Sequence, residues 1–293
     1  MNLYHLKYFQ DAAATGSVAG SAAANRVSPS AVSQAIRALE QELAVSLVRH
    51  ARRRLELTEQ GRRLAELGPE VFGAVQRLRD ELTDPRRPPT GPLAFGISHS
   101  VATSLFGEVL AGFSASHPGI ALTIKTGPTE QLKHLVRTGQ ADLAVFVEDG
   151  DTRDLEIRRL HSGRFVLAAA RRASRRHDRP FLITELRSDV AQFLAAYRRR
   201  FGEDAGVSMK IESWEIIAHL AAAGLGIGLV PDFLLRGPLR TRLCTRELGL
   251  PEIRYDLCVA LARQRPPGRN ARLLLDALVR ASAGSGAAPR RSG

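Results

Sequence analysis

The sequence predicts a chain of mixed class, an all-α N-terminal domain followed by a larger α/β domain, and three observations predict it. Up to Leu43 the apolar residues recur at three- and four-residue steps, the period of amphipathic helices. The run from Asp84 to Pro92 then places four prolines in nine residues, which forbids helix and sheet alike and makes a linker. Beyond it, short strand-like runs alternate with helical periods, the pattern of a parallel sheet with covering helices.

Taken in order, Leu3, Leu6, Phe9, Ala12 and Ala13 line one face of a helix over Leu3–Ala14, which Thr15-Gly16 ends. Ser17 can cap a short second helix over Val18–Asn25, whose Ala22, Ala23 and Ala24 are small enough for another helix to pack close. Arg26-Val27 makes a turn. Ser28 is a good N-cap, and Pro29 falls at the first helical position, where its missing N–H would be unpaired anyway. In the third helix Val32, Ile36, Leu39 and Leu43 face inward, so Ser33, Gln34, Arg37 and Gln41 face outward. Arg49 to Leu57 reads as a short basic hairpin, and Thr58 caps a long helix. Along that helix Leu64, Val71 and Leu78 recur every seven residues, with Gly68, Val75 and Leu82 as the alternating row. This is coiled-coil spacing and predicts pairing with a second copy. Pro69 interrupts the pattern and should kink the helix or weaken it by about 3 kcal/mol.

In the α/β part the predicted strands are Leu93–Ser98, Ile120–Thr126, Asp142–Val147, Arg164–Ala170, Phe181–Ile183, Val207–Ile211, Gly226–Leu229 and Tyr255–Leu261. The predicted helices are Val101–His117, Glu130–Thr138, Asp189–Phe201, Trp214–Ala223 and Arg269–Ser282. Ala283–Gly293 has the composition of a disordered tail.

At 293 residues and 44% hydrophobic the chain can bury more than one core. No apolar run approaches a membrane span and the N-terminus has no signal-peptide core, so a soluble, cytoplasmic protein is expected. Cys244 and Cys258 are too few for a disulfide framework and lack the paired spacing of a zinc site, leaving a redox role as a remote option. The formal charge is +12, but residues 1–90 hold 13 Arg or Lys against 10 Asp or Glu. Most of the excess lies later, including the run Arg171 to Arg179 and the triplet Arg198-Arg199-Arg200. Placement of charge therefore matters more than its sum. There is no nucleophile elbow, no His-Glu-x-x-His, no phosphate loop, and no glycine fingerprint entering a first helix. His99 is flanked by Ser98 and Ser100, but neighbours on a strand-end loop do not form a catalytic triad. No catalytic residue, metal site or cofactor is expected.

One extended run of residues carries a family likeness. It comprises Ala22-Ala23, Val27 to Gln34, Ile36 to Glu40, Leu43, Leu47, and Leu57-Thr58 with Gly61. Across the linker it continues with Gly91-Pro92-Leu93 and with Ala223 to Pro231. In these the chain resembles the LysR-type transcriptional regulators over essentially its whole length. The resemblance implies a winged helix-turn-helix DNA-binding domain over residues 1–58 and a dimerising linker helix and hinge over 59–90. It implies an effector-binding domain over 91–282, built of two α/β lobes like a periplasmic binding protein, with 283–293 as the tail. Ala44 stands where the family usually turns on glycine, and Val48-Arg49-His50 replaces its usual Phe-x-Arg.

On this reading the third helix enters the major groove with the residues near its N-terminus toward the base edges. Ser28 and Pro29 start that helix, Ser30 and Ser33 can bond bases or phosphates, and Gln34 can pair two-pronged with adenine. Arg37 suits a phosphate, and Arg52, Arg53 and Arg54 suit backbone or minor-groove contact. Pairing through Leu64, Val71, Val75, Leu78 and Leu82 gives a homodimer or homotetramer, and the operator becomes an interrupted inverted repeat of double-stranded DNA. The effector is expected between the lobes, where parallel strands end, touching Ser98, His99, Ser100, Thr126, Gly127, Phe146 and Thr184. Hydroxyls and N–H groups there suit a small carboxylate, whereas Glu148, Asp149 and Glu185 suit an amine. An enzyme with a fused helix-turn-helix would turn over a metabolite, and a basic architectural protein would protect DNA broadly and ignore metabolites.

Overall fold

The computed structural model describes residues 1–51, 54–82, 86–171, 179–185, 187–236 and 239–285. The chain divides into two compact units, one N-terminal and one holding most of the rest.

The N-terminal unit consists of α1 (Leu3–Thr15), α2 (Val18–Asn25), α3 (Pro29–Leu43), an antiparallel hairpin of β1 (Val48–Ala51) and β2 (Arg54–Leu57), and α4 (Glu59–Leu82). The caps are those the sequence names. Ser17 Oγ accepts from the Gly20 N–H at 3.3 Å, Ser28 Oγ from Ala31 N–H at 3.2 Å, and Thr58 Oγ1 from Gly61 N–H at 2.9 Å. Gly61 cannot be replaced freely, because a Cβ there would stand 2.0 Å from the Leu47 carbonyl oxygen. Phe9, Ala12, Ala22, Val32, Ile36, Leu39 and Leu47 form the core. Leu43, expected inward, is exposed at the last turn of α3. α4 runs unbroken through Pro69. Its first half packs inward within the unit: Leu64 joins the core, and the Gln10 amide donates to the Leu64 carbonyl at 2.8 Å and lies against Gly68.

The larger unit contains β3 (Gly91–Ile97), α5 (His99–Val101), a π turn (Ala102–Phe106), α6 (Gly107–Ser116), β4 (Ile120–Thr126), α7 (Thr129–Arg137), β5 (Leu143–Val147) and β6 (Leu155–Ala170). There follow β7 (Phe181–Ile183), α8 (Ser188–Phe201), β8 (Val207–Lys210), α9 (Trp214–Ala222), β9 (Ile227–Pro231), a 3₁₀ turn (Asp232–Leu235), β10 (Leu243–Arg246), β11 (Arg254–Ala262) and α10 (Arg269–Ser285). The strands run in the order β4-β3-β5-β11-β6-β9-β7-β8, with β10 also on β6. β3 is parallel to β4 and β5, and β7 is parallel to β8 and β9, but β6, β10 and β11 pair antiparallel. The sheet is therefore mixed, not wholly parallel as the alternation suggests. The reason is β6, whose sixteen residues carry the chain from one lobe into the other. Its first part pairs with β11 and its last residues with β9 and β10, and β11 brings the chain back the opposite way. At this crossing a Cβ on Gly163 would lie 2.2 Å from the Tyr255 hydroxyl, which donates to Asp232 at 2.7 Å.

Other boundaries also differ. The single helix expected over Val101–His117 starts at His99 and is interrupted by the π turn. β3 begins at Gly91, inside the predicted linker, and α10 extends to Ser285, beyond the predicted start of the tail. The remainder of that tail, Arg52 and Arg53, and most of the run from Arg171 to Arg179 lie outside the described residues.

Candidate functional site

The outward face of α3 carries Ser30, Gln34 and Arg37 exposed to solvent, with Ser33 half-buried beside them. Ser30 Oγ sits 2.8 Å from Ser28 Oγ, so the cap and the first outward hydroxyl share a hydrogen bond. Pro29 occupies the first turn as expected, and the helix ends at Ala44 in the left-handed region with φ 54°. That conformation costs a residue with a Cβ roughly 1–2 kcal/mol, which explains why glycine is the common choice there. Arg54 lies in β2. Sequence reasoning passed over Glu40. Its Oε1 accepts from the N–H groups of Leu47 at 2.7 Å and Val48 at 3.2 Å, tying α3 to the start of the hairpin. An acid facing the two free amides between a helix and a hairpin was the available signal. On α4, Val71 and Val75 are half-buried, whereas Leu78 is 57% and Leu82 79% exposed.

In the larger unit the carboxyl ends of β3, β4 and β5 lie along one edge of the sheet, and the groups that follow β5 belong to a connected polar chain. Lys133 of α7 has a fully buried side chain and donates to Glu130 at 3.2 Å and to Glu148 at 3.1 Å. Burial by itself would lower the lysine pKa, but the hydrogen bonds it donates to the two glutamates prevail and hold it raised. Glu148 Oε1 also accepts from the amides of Asp149 and Gly150 at 3.0 and 2.9 Å. Asp149 pairs across the cleft with Arg187 at 2.5 Å, and Arg187 turns to Asp189 at 3.1 Å. The Arg187 guanidinium lies 4.9 Å from the ring centre of Trp214 at the start of α9. A second bridge joins the lobes where His99 Nε2 approaches Glu215 at 3.1 Å. Burial raises the Asp189 pKa despite Arg187 beside it.

The predicted effector residues divide. Ser98, at the end of β3, and Thr184, just after β7, keep buried hydroxyls with no hydrogen-bond partner among the described residues. His99 is exposed and Ser100 buried. Thr126 is exposed at the end of β4, with Gly127 half-buried next to it. Phe146 is corrected: its side chain is wholly buried among Leu132, Leu135 and Val136 beneath Lys133, because alternate residues of β5 face the core under α7. Asp189, Arg187 and Trp214 were missed. All three sit at helix starts whose polar character a strand-end search overlooks. A separate cavity of about 630 Å³ opens beside the π turn, lined by Thr103, Phe106, His161, Phe233, Arg236 and Ser282 among others. None of its lining residues was predicted.

Residues 3–62 match the model of the bacterial regulatory helix-turn-helix protein, lysR family, and residues 86–283 match the LysR substrate binding domain. The chain belongs to the LysR family. This LysR regulator is similar to the transcriptional activator IlvY of Salmonella typhimurium, with 26% identity covering 90% of this chain and 95% of that one. Among solved structures it is similar to a full-length OxyR variant from Pseudomonas aeruginosa, with a TM-score of 0.72, 20% identity, and coverage of 95% and 98%. It is also similar to full-length CbnR solved with its target DNA, with a TM-score of 0.65, 16% identity, and coverage of 96% and 100%. As a LysR-type protein it is a DNA-binding transcription regulator with an effector-binding domain, and its relatives are regulators rather than enzymes. No helix among the described residues is long and apolar enough to cross a membrane.

Proposed function

We propose that this regulator reads DNA with the exposed face of α3 and changes its transcriptional output when a small molecule occupies the cleft between the two lobes. The observation that carries the DNA half is the capped start of α3 with Ser30, Ser33, Gln34 and Arg37 presented together on one outward row. In this reading Gln34 and the serines address base edges, and Arg37 and the hairpin arginines address the backbone. Two copies join along α4, where Leu78 and Leu82 lie open to solvent, giving a homodimer or a homotetramer. Their two α3 helices then meet an interrupted inverted repeat. The relative solved with target DNA supports the same use of the fold. The effector half rests on the unpartnered hydroxyls of Ser98 and Thr184, and in this reading His99, Ser100, Thr126 and Gly127 also line the cleft. The protein works in the cytoplasm and needs no cofactor besides its effector.

The test is Gln34→Ala in a competition binding assay. Preference for the operator should fall by roughly 1–3 kcal/mol per contacted base pair, with non-specific binding unchanged. Equal weakening on operator and random DNA shows that Gln34 reads no sequence.

A further inference from the structure

Strand ends and helix starts ordinarily favour an anion, because their free N–H groups point outward and the helix dipole adds positive potential. In this cleft those positions are already served. α7, α8 and α9 each carry a carboxylate of their own in the first turn, Glu130, Asp189 and Glu215. Glu148, Asp149, Asp189 and Glu215 gather here against only two permanent cations among the described residues, Lys133 and Arg187, with His99 at the rim. The lone pairs show the same deficit. Glu148 Oε1 takes three donors while its buried Oε2 takes none, and Asp189 Oδ1 takes Arg187 while its buried Oδ2 takes none. Asp149 Oδ1 is buried too, with Lys133 no nearer than 3.6 Å. Buried acceptors without donors are costly, and a second negative group placed beside them costs more. The donors left over are neutral: the Thr184 hydroxyl and the Trp214 indole N–H are 4% and 8% exposed by residue and have no partner among the described residues.

We propose that the cleft binds a small organic cation, its ammonium or guanidinium group seated among Glu148, Asp149 and Asp189 and its other end against Ser98, Thr184 and Trp214. This rests on the reading of the cleft as the effector site. The ligand nitrogen supplies the donors that Glu148 Oε2 and Asp189 Oδ2 lack. It also adds a second cation beside Asp189, whose pKa burial raises despite Arg187.

Trp214 is the only tryptophan of the chain, so tryptophan emission reports on the surroundings of that one ring, beside Arg187. The full-length protein is titrated in the millimolar range with cadaverine, pentane-1,5-diol and glutarate, which share one carbon chain with cationic, neutral and anionic ends, and with agmatine. The expected result is a saturable change in Trp214 emission with cadaverine or agmatine and none with the diol or glutarate. Asp189→Asn replaces the unpartnered oxygen with an amide donor and should weaken the response by at least about tenfold. Glu148→Gln, checked for a native fold by an unchanged circular dichroism spectrum, should do the same if the first variant folds poorly. A response to glutarate alone overturns the cation while leaving the cleft as the site. Silence toward all four probes overturns the proposal. If the cations raise the melting temperature without moving Trp214 emission, and His161→Ala abolishes that rise, the ligand sits in the cavity beside the π turn. That outcome overturns both the proposal and the cleft reading beneath it.

Discussion

Replacing Lys133 with methionine isolates the energetic weight of one buried charge. Methionine keeps the stem over the Phe146 ring, which now lies 5.4 Å from the ammonium, so no cavity is made. Two charge-assisted hydrogen bonds are lost, each worth about 1.5–3 kcal/mol when shielded from water. The one to Glu130 counts for little, because that carboxylate is 65% exposed and a solvated pair is worth at most about 1 kcal/mol. The one to Glu148 counts fully, and its loss leaves Glu148 and Asp149 side by side with a single remaining cation. Removing one partner of a buried pair costs about 3–5 kcal/mol. Glu148 retains two backbone donors, so the lower end of that range, about 3 kcal/mol, is the expected loss. The assay is urea unfolding followed by Trp214 emission, which reads the larger unit, at neutral pH. Glu148→Gln in the same background should recover part of the loss. The lysine pKa is raised in the fold, so its stabilisation is complete below the ordinary lysine value of 10.5 and is lost as pH climbs through the raised one. A loss under about 1 kcal/mol at neutral pH would refute the reasoning, since surface substitutions already reach about half that.

Ala44→Gly should stabilise the N-terminal unit by about 1 kcal/mol by removing the left-handed strain at the end of α3, read as a higher melting temperature in calorimetry. No rise means that the surrounding turn relaxes once the Cβ is gone. Cys258 is buried, and its burial, with Glu148 and Asp256 adding to it, pushes the thiol pKa up to about 12. Its thiolate fraction at neutral pH is then about a thousandfold below that of an ordinary cysteine, so iodoacetamide should label it only on unfolding, and rapid labelling of the native protein revives a redox role. Leu78→Asp should abolish pairing along α4, because a carboxylate at a buried seam lacks a partner, and operator affinity should collapse with it. Sedimentation of an intact dimer would move the interface elsewhere.

Much of this architecture is legible because it is written in local chemistry. Ser17, Ser28 and Thr58 announce helix starts that depend on a neighbour three residues away, and Gly16 and Arg26 end helices within the same short reach. What escaped depends on residues far apart in the chain. β10 is four residues long and is defined by its partner β6 some seventy positions earlier, so no period reveals it. The antiparallel return of β11 is equally invisible, because alternating strands and helices read alike whichever way the last strand runs. In the cleft, the hydroxyls of Ser98 and Thr184 could be named from strand ends, but the balance of charge could not. Glu148, Asp149, Arg187 and Asp189 meet only after the chain has crossed between lobes.

Glu40 belongs to α3 yet grips the two amides that lead into the hairpin. A helix and a ribbon clasped by one carboxylate resist turning against each other like the prongs of one fork, since a change of angle breaks two charge-assisted hydrogen bonds. On the proposed reading, in which α3 and the hairpin both touch DNA, that clasp sets how one copy holds its stretch of duplex. Two such forks on one duplex can differ only in how far apart they stand and in their phase around it, which turns once in about ten base pairs. Spacing and phase are thus the coordinates left for a signal to move.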